Sequence, residues 1–371
     1  MKSFNTRLLL RGAIAIGALV VATGIANADP DIAAARAFVE KYRKLPEFSA
    51  PDTAFDAHAC AAGKKVMVIP VSSANPSNKN IIQSMETVGA SIGVEVTEWE
   101  NQASPTQWAQ GMDHARNNGF NAVVLLGGVD PALLGPQIKA AKDAGLIVTT
   151  AHLEDLTQNG TPELDLSQRL DFQKVGEILA DWVIAQTDGK PNVLLVGSDE
   201  IVPNPAYRAK FEEVMKACGP NCKTTYINAP VPEWSTKIQP SVQSALISDP
   251  TINYVVPMYD SMSQFIMPAI TITGKTGQVK IATFNGTPFV LDEVRNGNVE
   301  MNIGESIGWI ARSVLDGTMR KMCGMSAKNE LYVPFYLFDK DNVESAGVPA
   351  EFDKGFGDAY IKGYNKLWGL E

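Results

Sequence analysis

The segment Val66-Met-Val-Ile-Pro-Val-Ser-Ser-Ala-Asn-Pro76 joins a continuous apolar run to a polar turn. A short β-branched run without polar alternation is typical of a strand buried on both faces, as in a parallel sheet. An amphipathic segment at 80–92 follows the turn, so this unit predicts a strand and then a helix. The same unit recurs along the chain. Strands are expected at 66–70, 94–98, 122–126, 146–150, 193–196, 224–228, 254–256 and 279–283.

Strands that alternate with helices predict an α/β fold. Two doubly wound parallel-sheet lobes are favoured over one very wide sheet. Breaks in the pattern near 161–165, 300–304 and 327–334 predict three crossings between the lobes, which together make a hinge. The predicted organisation has five parts. It comprises a signal peptide at 1–28, a helical arm and linker at 29–63, lobe 1 at 64–165 plus 306–330, lobe 2 at 166–305 plus 331–355, and a tail at 356–371. The arm is expected to lie along lobe 1.

The first 28 residues have the features of an export signal. Lys2, Arg7 and Arg11 precede an uncharged apolar run at 12–25, and the small-x-small pattern Ala26-Asn27-Ala28 predicts cleavage after Ala28. The alternative is a membrane anchor, but the run is short for a span and no basic flank follows it. A soluble protein exported to the periplasm is therefore expected.

Composition excludes several classes of protein. Of 371 residues, 45% are hydrophobic and 20% charged, which argues against a disordered chain and against a multi-span membrane protein. The formal charge is −9, and it becomes −12 once the signal segment with its three basic residues is removed. Such an acidic body does not suit nucleic acid, which favours clustered Lys and Arg. Three His and four Cys leave little room for a metal cluster, and no cofactor is expected.

In an oxidising compartment the cysteines are expected to form disulfides. Cys218 and Cys222 flank a Gly-Pro turn that can bring them together, which leaves Cys60 and Cys323 for each other. Metal binding is the alternative, but no His lies near either pair. The sequence alone leaves the connectivity open.

Four segments lie at or just after predicted strands or breaks: residues 66–76, 259–262, 283–288 and 302–305. Together they resemble loops of the ribose-type periplasmic binding proteins. Residues 66–76 resemble the first strand and ligand loop of that family, and Tyr259-Asp260-Ser261-Met262 resembles its Asn-Asp loop. Thr283-Phe-Asn-Gly-Thr-Pro288 is similar to its Phe-Asp-Gly-Thr-Pro loop, and Asn302-Ile-Gly-Glu305 lies where the family has Ala-Gln. The resemblance implies a type I periplasmic binding protein fold. It also implies a sugar or related polar solute held between the lobes, and an ABC transporter permease as the partner.

The loops that follow the strands would meet at one cleft, because ligands of open α/β sheets bind beyond the carboxyl ends of the strands. Sugar sites combine planar polar groups with an aromatic face, and Asp260, Asn285, Glu305 and Trp234 supply these. Helix capping is the alternative role for Asp260, and core packing is the alternative for Trp234. The expected ligand-binding residues are Ser73, Asn75, Asn78, His152, Tyr207, Trp234, Tyr259, Asp260, Asn285 and Glu305.

Several positions depart from the family pattern. His152 stands where the family often has an Asp-Arg pair, and Tyr207 aligns with a family arginine. Arg208 is expected to point away, because successive helix residues are about 100° apart. Glu305 replaces the usual Gln. Without these arginines, a buried anion would lack a cationic partner. A neutral or cationic ligand is therefore expected rather than a carboxylate or phosphate.

Other functional classes fit less well. The sequence lacks a Gly-x-Ser-x-Gly elbow, a phosphate loop and a His-Glu-x-x-His motif, so an enzyme is not expected. A DNA-binding regulator with these lobes would carry an N-terminal helix-turn-helix, where this chain has a signal peptide. A periplasmic sensor that presents its bound form to a receptor kinase or chemoreceptor is the alternative to transport. A hydrolase on this fold is a remote alternative, and a monomer is expected.

Overall fold

The strand–helix repeat forms two mainly parallel sheets in the computed structural model, which describes Met1 and residues 31–370. The predicted signal peptide lies outside the described residues. The first sheet contains β1 (Lys65–Pro70), β2 (Glu95–Glu98), β3 (Ala122–Leu126), β4 (Ile147–Asp155) and β5 (Leu166–Leu170), in the order β2-β1-β3-β4-β5. All of its pairs are parallel.

The second sheet has the order β11-β10-β9-β8-β6-β7. Its strands are β6 (Asn192–Gly197), β7 (Lys223–Asn228), β8 (Tyr254–Pro257), β9 (Lys280–Asn285), β10 (Met301–Gly304) and β11 (Tyr336–Asp339). Only the pair of β10 and β11 is antiparallel among the described strands. The predicted α/β class with two parallel-sheet lobes is confirmed.

Helices cover the faces of both sheets. They are α1 (Ile32–Val39), α2 (Ala57–Ala61), α3 (Pro76–Ile92), α4 (Pro105–Asn117), α5 (Gly135–Asp143), α6 (Phe172–Gln186), α7 (Asn204–Cys218), α8 (Trp234–Ser248), α9 (Ser263–Ile272), α10 (Pro288–Arg295), α11 (Ile307–Met322) and α12 (Ala359–Leu367). Short 3₁₀ turns lie at Glu40–Arg43, Pro131–Leu134, Val231–Glu233, Asp260–Met262 and Val343–Ala346. We call the first sheet with α2–α5, α11 and α12 the first lobe, and the second sheet with α6–α10 the second lobe.

Fully buried strands form the centre of each lobe. All five residues of β3 are buried, as the continuous apolar run predicts. On one face of the first sheet, Met67, Ile69 and Leu125 pack with Trp108 and Met112 of α4. Among residues 31–370, no helix has both the length and the apolar character that crossing a membrane requires.

The chain leaves the first sheet later than the sequence predicts. Residues 161–165 precede β5, which still pairs with β4, so the predicted boundary at 165 falls one strand too early. The missed strand, Leu166-Ser-Gln-Arg-Leu170, is short and mostly polar, so its sequence gives little indication of a strand. Its hydrogen bonds to β4 hold it in the strand conformation. Similarly, β10 occupies the predicted break at 300–304, and the second passage follows it at Glu305 and Ser306. The third passage, between α11 and β11, contains residues 327–334.

Both predicted cysteine pairs form disulfides. Cys60 is bonded to Cys323 at the end of α11, and Cys218 to Cys222 between α7 and β7. The expectation that the whole N-terminal arm lies on the first lobe is wrong, because α1 packs against α6 of the second lobe. Residues Ala35 and Val39 of α1 are buried in that contact.

Candidate ligand-binding site

A direct contact between the lobes lies at the carboxyl ends of the strands. His152 Nε2 of β4 lies 2.6 Å from Glu305 Oε1, which follows β10. The two side chains are only 10% and 1% exposed. These residues are 153 positions apart in the chain. The contact therefore depends on how the two lobes face each other.

Backbone strain is concentrated around this contact. His152 has φ 55° and Asn285 has φ 137°, both in the region that non-glycine residues rarely occupy. The pairing of β4 with β5 changes register between Ala151 and Asp155, so His152 lies in an irregular part of its strand. Asn285 Nδ2 donates to the same Glu305 oxygen at 3.3 Å. Two strained residues thus meet one carboxylate, and such strain often accompanies function.

The environment of His152 favours its charged form. Burial alone would lower the pKa of His152, but the neighbouring Glu305 carboxylate outweighs burial and raises that pKa above its ordinary value. The Phe172 ring packs edge-on against the imidazole, with ring centres 5.4 Å apart. His152 and Glu305 therefore form a close pair that is shielded from solvent.

Asp260 ties two loops of the second lobe together. Its carboxylate accepts hydrogen bonds from Thr287 N and Thr287 Oγ1, both at 2.7 Å, and from Asn302 Nδ2 at 3.1 Å. Burial raises the pKa of Asp260 to about 6, although these hydrogen bonds act to lower it. The Asp260 carboxylate therefore holds the start of α10 in place.

Trp234 lies at the start of α8 with its indole oriented by two hydrogen bonds. Its Nε1 donates to Ser198 Oγ at 2.9 Å and to Ala229 O at 3.0 Å. The indole is nearly parallel to the Tyr259 ring, at 23° and 6.4 Å between centres. Trp234 is partly buried and also packs against the core of the second lobe. The two rings form a rigid aromatic pair.

Three buried polar atoms near this pair have no hydrogen-bond partner among residues 31–370. They are Tyr207 Oη, Tyr259 Oη and Glu305 Oε2. Burial raises the pKa of both tyrosines, so their hydroxyls stay protonated. Glu305 and Tyr207 are each close enough to Tyr259 to couple with it electrostatically. Unpaired buried polar groups are costly, and a ligand can satisfy them.

The first loop supplies mostly structural contacts. Asn75 caps α3 by accepting from Asn78 N at 3.2 Å, and Ser73 Oγ accepts from Asn101 N at 3.0 Å. Asn78 is 4% exposed, and its Nδ2 has no partner in the described part of the chain. The Asn78 side chain lies against the backbone of Gly127. A Cβ added at Gly127 would lie 2.4 Å from Asn78 Oδ1, so a larger residue would clash there.

A polar cluster that the sequence analysis missed follows β6. Tyr226 Oη donates to Asp199 Oδ1 at 2.7 Å, and Asn204 Nδ2 donates to Asp199 at 3.3 Å. The Arg208 guanidinium lies over the Tyr226 ring at 3.8 Å and pairs with Glu212 at 2.8 Å. Ser198 and Asp199 come directly after a predicted strand, and that position was the signal available in the sequence.

The geometry agrees with comparisons to known proteins. A family model described as the periplasmic binding protein domain matches residues 66–324, more than two thirds of the chain. The chain belongs to the periplasmic binding protein family. The resemblance to ribose-type members and the type I fold are thereby confirmed. The described residues contain no group of three or more His, Cys, Asp and Glu side chains placed to hold a metal ion.

Solved structures of this family share the fold. A solute-binding protein from Agrobacterium vitis with bound allitol has TM-score 0.67 and 19% identity, covering 76% of this chain and 97% of its own. A carbohydrate transporter protein from Acidothermus cellulolyticus in complex with myo-inositol has TM-score 0.64 and 19% identity, covering 76% and 96%. A 5-methylthioribose-binding protein from Thermotoga lettingae has TM-score 0.67 and 17% identity, covering 83% and 98%. No curated protein matches the chain in sequence.

Proposed function

We propose that this protein binds one small neutral polar solute, a sugar, polyol or related oxygenated compound, between its lobes and delivers it to an ABC permease. The observation that carries the proposal is the set of three buried, unpartnered oxygens on Tyr207, Tyr259 and Glu305. A carboxylate oxygen accepts hydrogen bonds from hydroxyl groups, and a tyrosine hydroxyl can donate or accept. Vicinal hydroxyls of a polyol match such a set.

The aromatic pair supports the same ligand class. The Trp234 indole is held by two hydrogen bonds and presents an apolar surface beside the Tyr259 ring. The C–H face of a sugar ring or polyol can pack on such a surface while its hydroxyls reach the polar atoms. The relatives with bound allitol and myo-inositol show that this fold accommodates polyols.

The charges of the site disfavour an anion. The imidazole of His152 already contacts Glu305, and the guanidinium of Arg208 is held by Tyr226 and Glu212. A carboxylate or phosphate ligand would therefore approach Glu305 without a free cationic partner, a cost of several kcal/mol in a buried site. A neutral ligand avoids this cost.

Binding is coupled to lobe closure in this proposal. His152 belongs to the first lobe and Glu305 to the passage that leaves the second lobe, so a ligand beside them touches both. A ligand that contacts both lobes selects the arrangement in which they are close. Export by residues 1–28 completes the proposal, and the mature protein should begin at Asp29.

A thermal-shift screen of the mature protein tests this function. The panel pairs each sugar or sugar alcohol with its sugar acid at neutral pH. We expect stabilisation by at least one neutral member and less by its acid. Tighter binding of the acids, or no response to any polyol or sugar, would contradict the proposed ligand class. Uptake of the identified solute by cells with and without the gene then tests delivery to a permease.

A further inference from the structure

The N-terminal arm makes specific contacts with the second lobe. Its helix α1 lies along α6, and Arg36 Nη2 donates to Asp188 Oδ1 at 2.7 Å. Arg43 Nη2 lies 2.5 Å from Asp339 Oδ2 at the end of β11, and the Asp339 side chain is only 6% exposed. The partly buried pair formed by Arg43 holds this end of the arm more firmly than the exposed Arg36 pair does.

The other end of the arm is fixed to the first lobe. Cys60 in α2 is bonded covalently to Cys323, which ends α11. The buried Arg320 donates to Thr53 O at 2.8 Å, and Asp316 in turn accepts from Arg320 at 2.8 Å. The arm between Arg43 and Cys60 therefore runs from one lobe to the other.

The C-terminal helix α12 holds this connecting span against α11. Phe55 N donates to Leu367 O at 2.9 Å. The Phe48 ring lies directly over Gly363, where a Cβ would be 2.1 Å from Phe48 Cδ1. Only a glycine leaves space for that ring. Two segments outside the matched family region thus pack on each other.

The middle of the span is separate from the hinge itself. A cavity of about 240 Å³ lies between the arm at Glu47 and Ser49 and the hinge residues Leu170 and Asp171. Trp309 and residues 330–335 also line it. The span is thus a further covalent connection between the lobes, beside the three passages of the hinge. When the lobes rotate apart, this span must lengthen or one of its ends must detach.

We propose that residues 31–63 form a strap that limits how far the lobes open, with the Cys60–Cys323 disulfide as its anchor on the first lobe. The proposal rests on the lobe movement of the proposed function, but it can be tested without any ligand. Releasing either end removes the limit. Reduction of this disulfide would loosen the strap, which makes the opening of the lobes sensitive to redox conditions.

The test measures the distance between the lobes in the ligand-free mature protein. Spin labels are attached through Lys139→Cys on α5 and Ile247→Cys on α8, two exposed positions on different lobes. Pulsed electron resonance gives the distance distribution. One release variant carries Cys60→Ser with Cys323→Ser. The matched control carries Cys218→Ser with Cys222→Ser, which removes the disulfide inside the second lobe.

A second release variant, Arg43→Gln, removes the contact with Asp339 at the opposite end and leaves both disulfides intact, so the test does not depend on one variant folding. We expect longer and broader distances in both release variants, and the parental distribution in the control. The same distribution in all four proteins, or equal lengthening in the control, would overturn the proposal. Because no solute is present, this result does not depend on the assignment of the ligand.

Discussion

Replacing Glu305 by Gln should lower the pKa of His152 and weaken the contact between the lobes. Gln keeps the shape and one acceptor oxygen of Glu, so the variant removes the charge and little else. In the native protein the two side chains are 2.6 Å apart and almost fully buried. In the variant, burial still lowers the pKa of His152, but the carboxylate that raises this pKa is absent.

The expected size follows from the geometry. A buried hydrogen bond to a charged group contributes about 1.5–3 kcal/mol. The pKa of His152 should fall, because the carboxylate that favours its charged form is gone while burial still disfavours that form. The same loss would shift the equilibrium between close and separated lobes by roughly tenfold or more. His152 should then titrate below its ordinary value of 6.5.

Imidazole NMR measures this directly, because the chain has only three histidines. His152 is assigned with a His152→Asn sample, and the signals of His58 and His114 serve as internal references. Glu351→Gln is the matched control, because it removes an exposed carboxylate that pairs with its neighbour Lys354. An unchanged His152 midpoint in Glu305→Gln, or a native midpoint below 6.5, would refute the reasoning.

The same contact predicts how closure depends on pH. The pKa of His152 is raised in the folded, contacting state, so the contribution of the ion pair is fully present below the ordinary pKa of 6.5. It is lost as the pH rises through the raised pKa of His152. The distance between labels on the two lobes should therefore lengthen from acidic to alkaline pH, and Glu305→Gln should abolish most of this change.

Three further substitutions test the second-lobe part of the site. Trp234→Ala should weaken binding of the identified solute by about 1–3 kcal/mol in titration calorimetry, and Trp234→Phe should weaken it less. Equal affinities in the native protein and Trp234→Ala would show that the indole packs in the core and does not contact the ligand. Tyr259→Phe removes one unpartnered hydroxyl, so it should weaken binding without lowering the melting temperature, and the reverse pattern would exclude a ligand contact. Burial raises the pKa of Asp260 from 3.8 to about 6, so its charge should destabilise the fold by about 3 kcal/mol above that pH. The unfolding free energy should accordingly rise as the pH falls from about 6 to about 4, and Asp260→Asn should flatten this rise in denaturant titrations.

Local patterns were sufficient for the architecture. Continuous apolar runs mark strands buried on both faces, and β3 was predicted to the residue because each of its five side chains is apolar and buried. The positions just after two of these runs indicated the loops that carry Asp260 and Asn285, whereas Glu305 was indicated only by the family resemblance. The Cys-Gly-Pro-Asn-Cys turn likewise indicated a short disulfide, and the remaining pair followed.

The weaker strands could not be predicted in the same way. The strands β5, β10 and β11 have four or five residues each, and polar or glycine residues interrupt β5 and β10. The strand propensity of β5 and β10 is low, so their strand conformation comes from hydrogen bonds to neighbouring strands. The sequence alone therefore placed the first boundary between the lobes before β5 rather than after it.

The sequence by itself determined which segments become strands and helices, because the alternation of apolar and polar residues is a local property of the chain. Only the tertiary structure decided which distant side chains meet. The pairing of His152 with Glu305 and the passage of the N-terminal arm between the lobes depend on strand order and on how the lobes face each other. No local pattern encodes those arrangements, since they are set by packing between residues far apart in the chain.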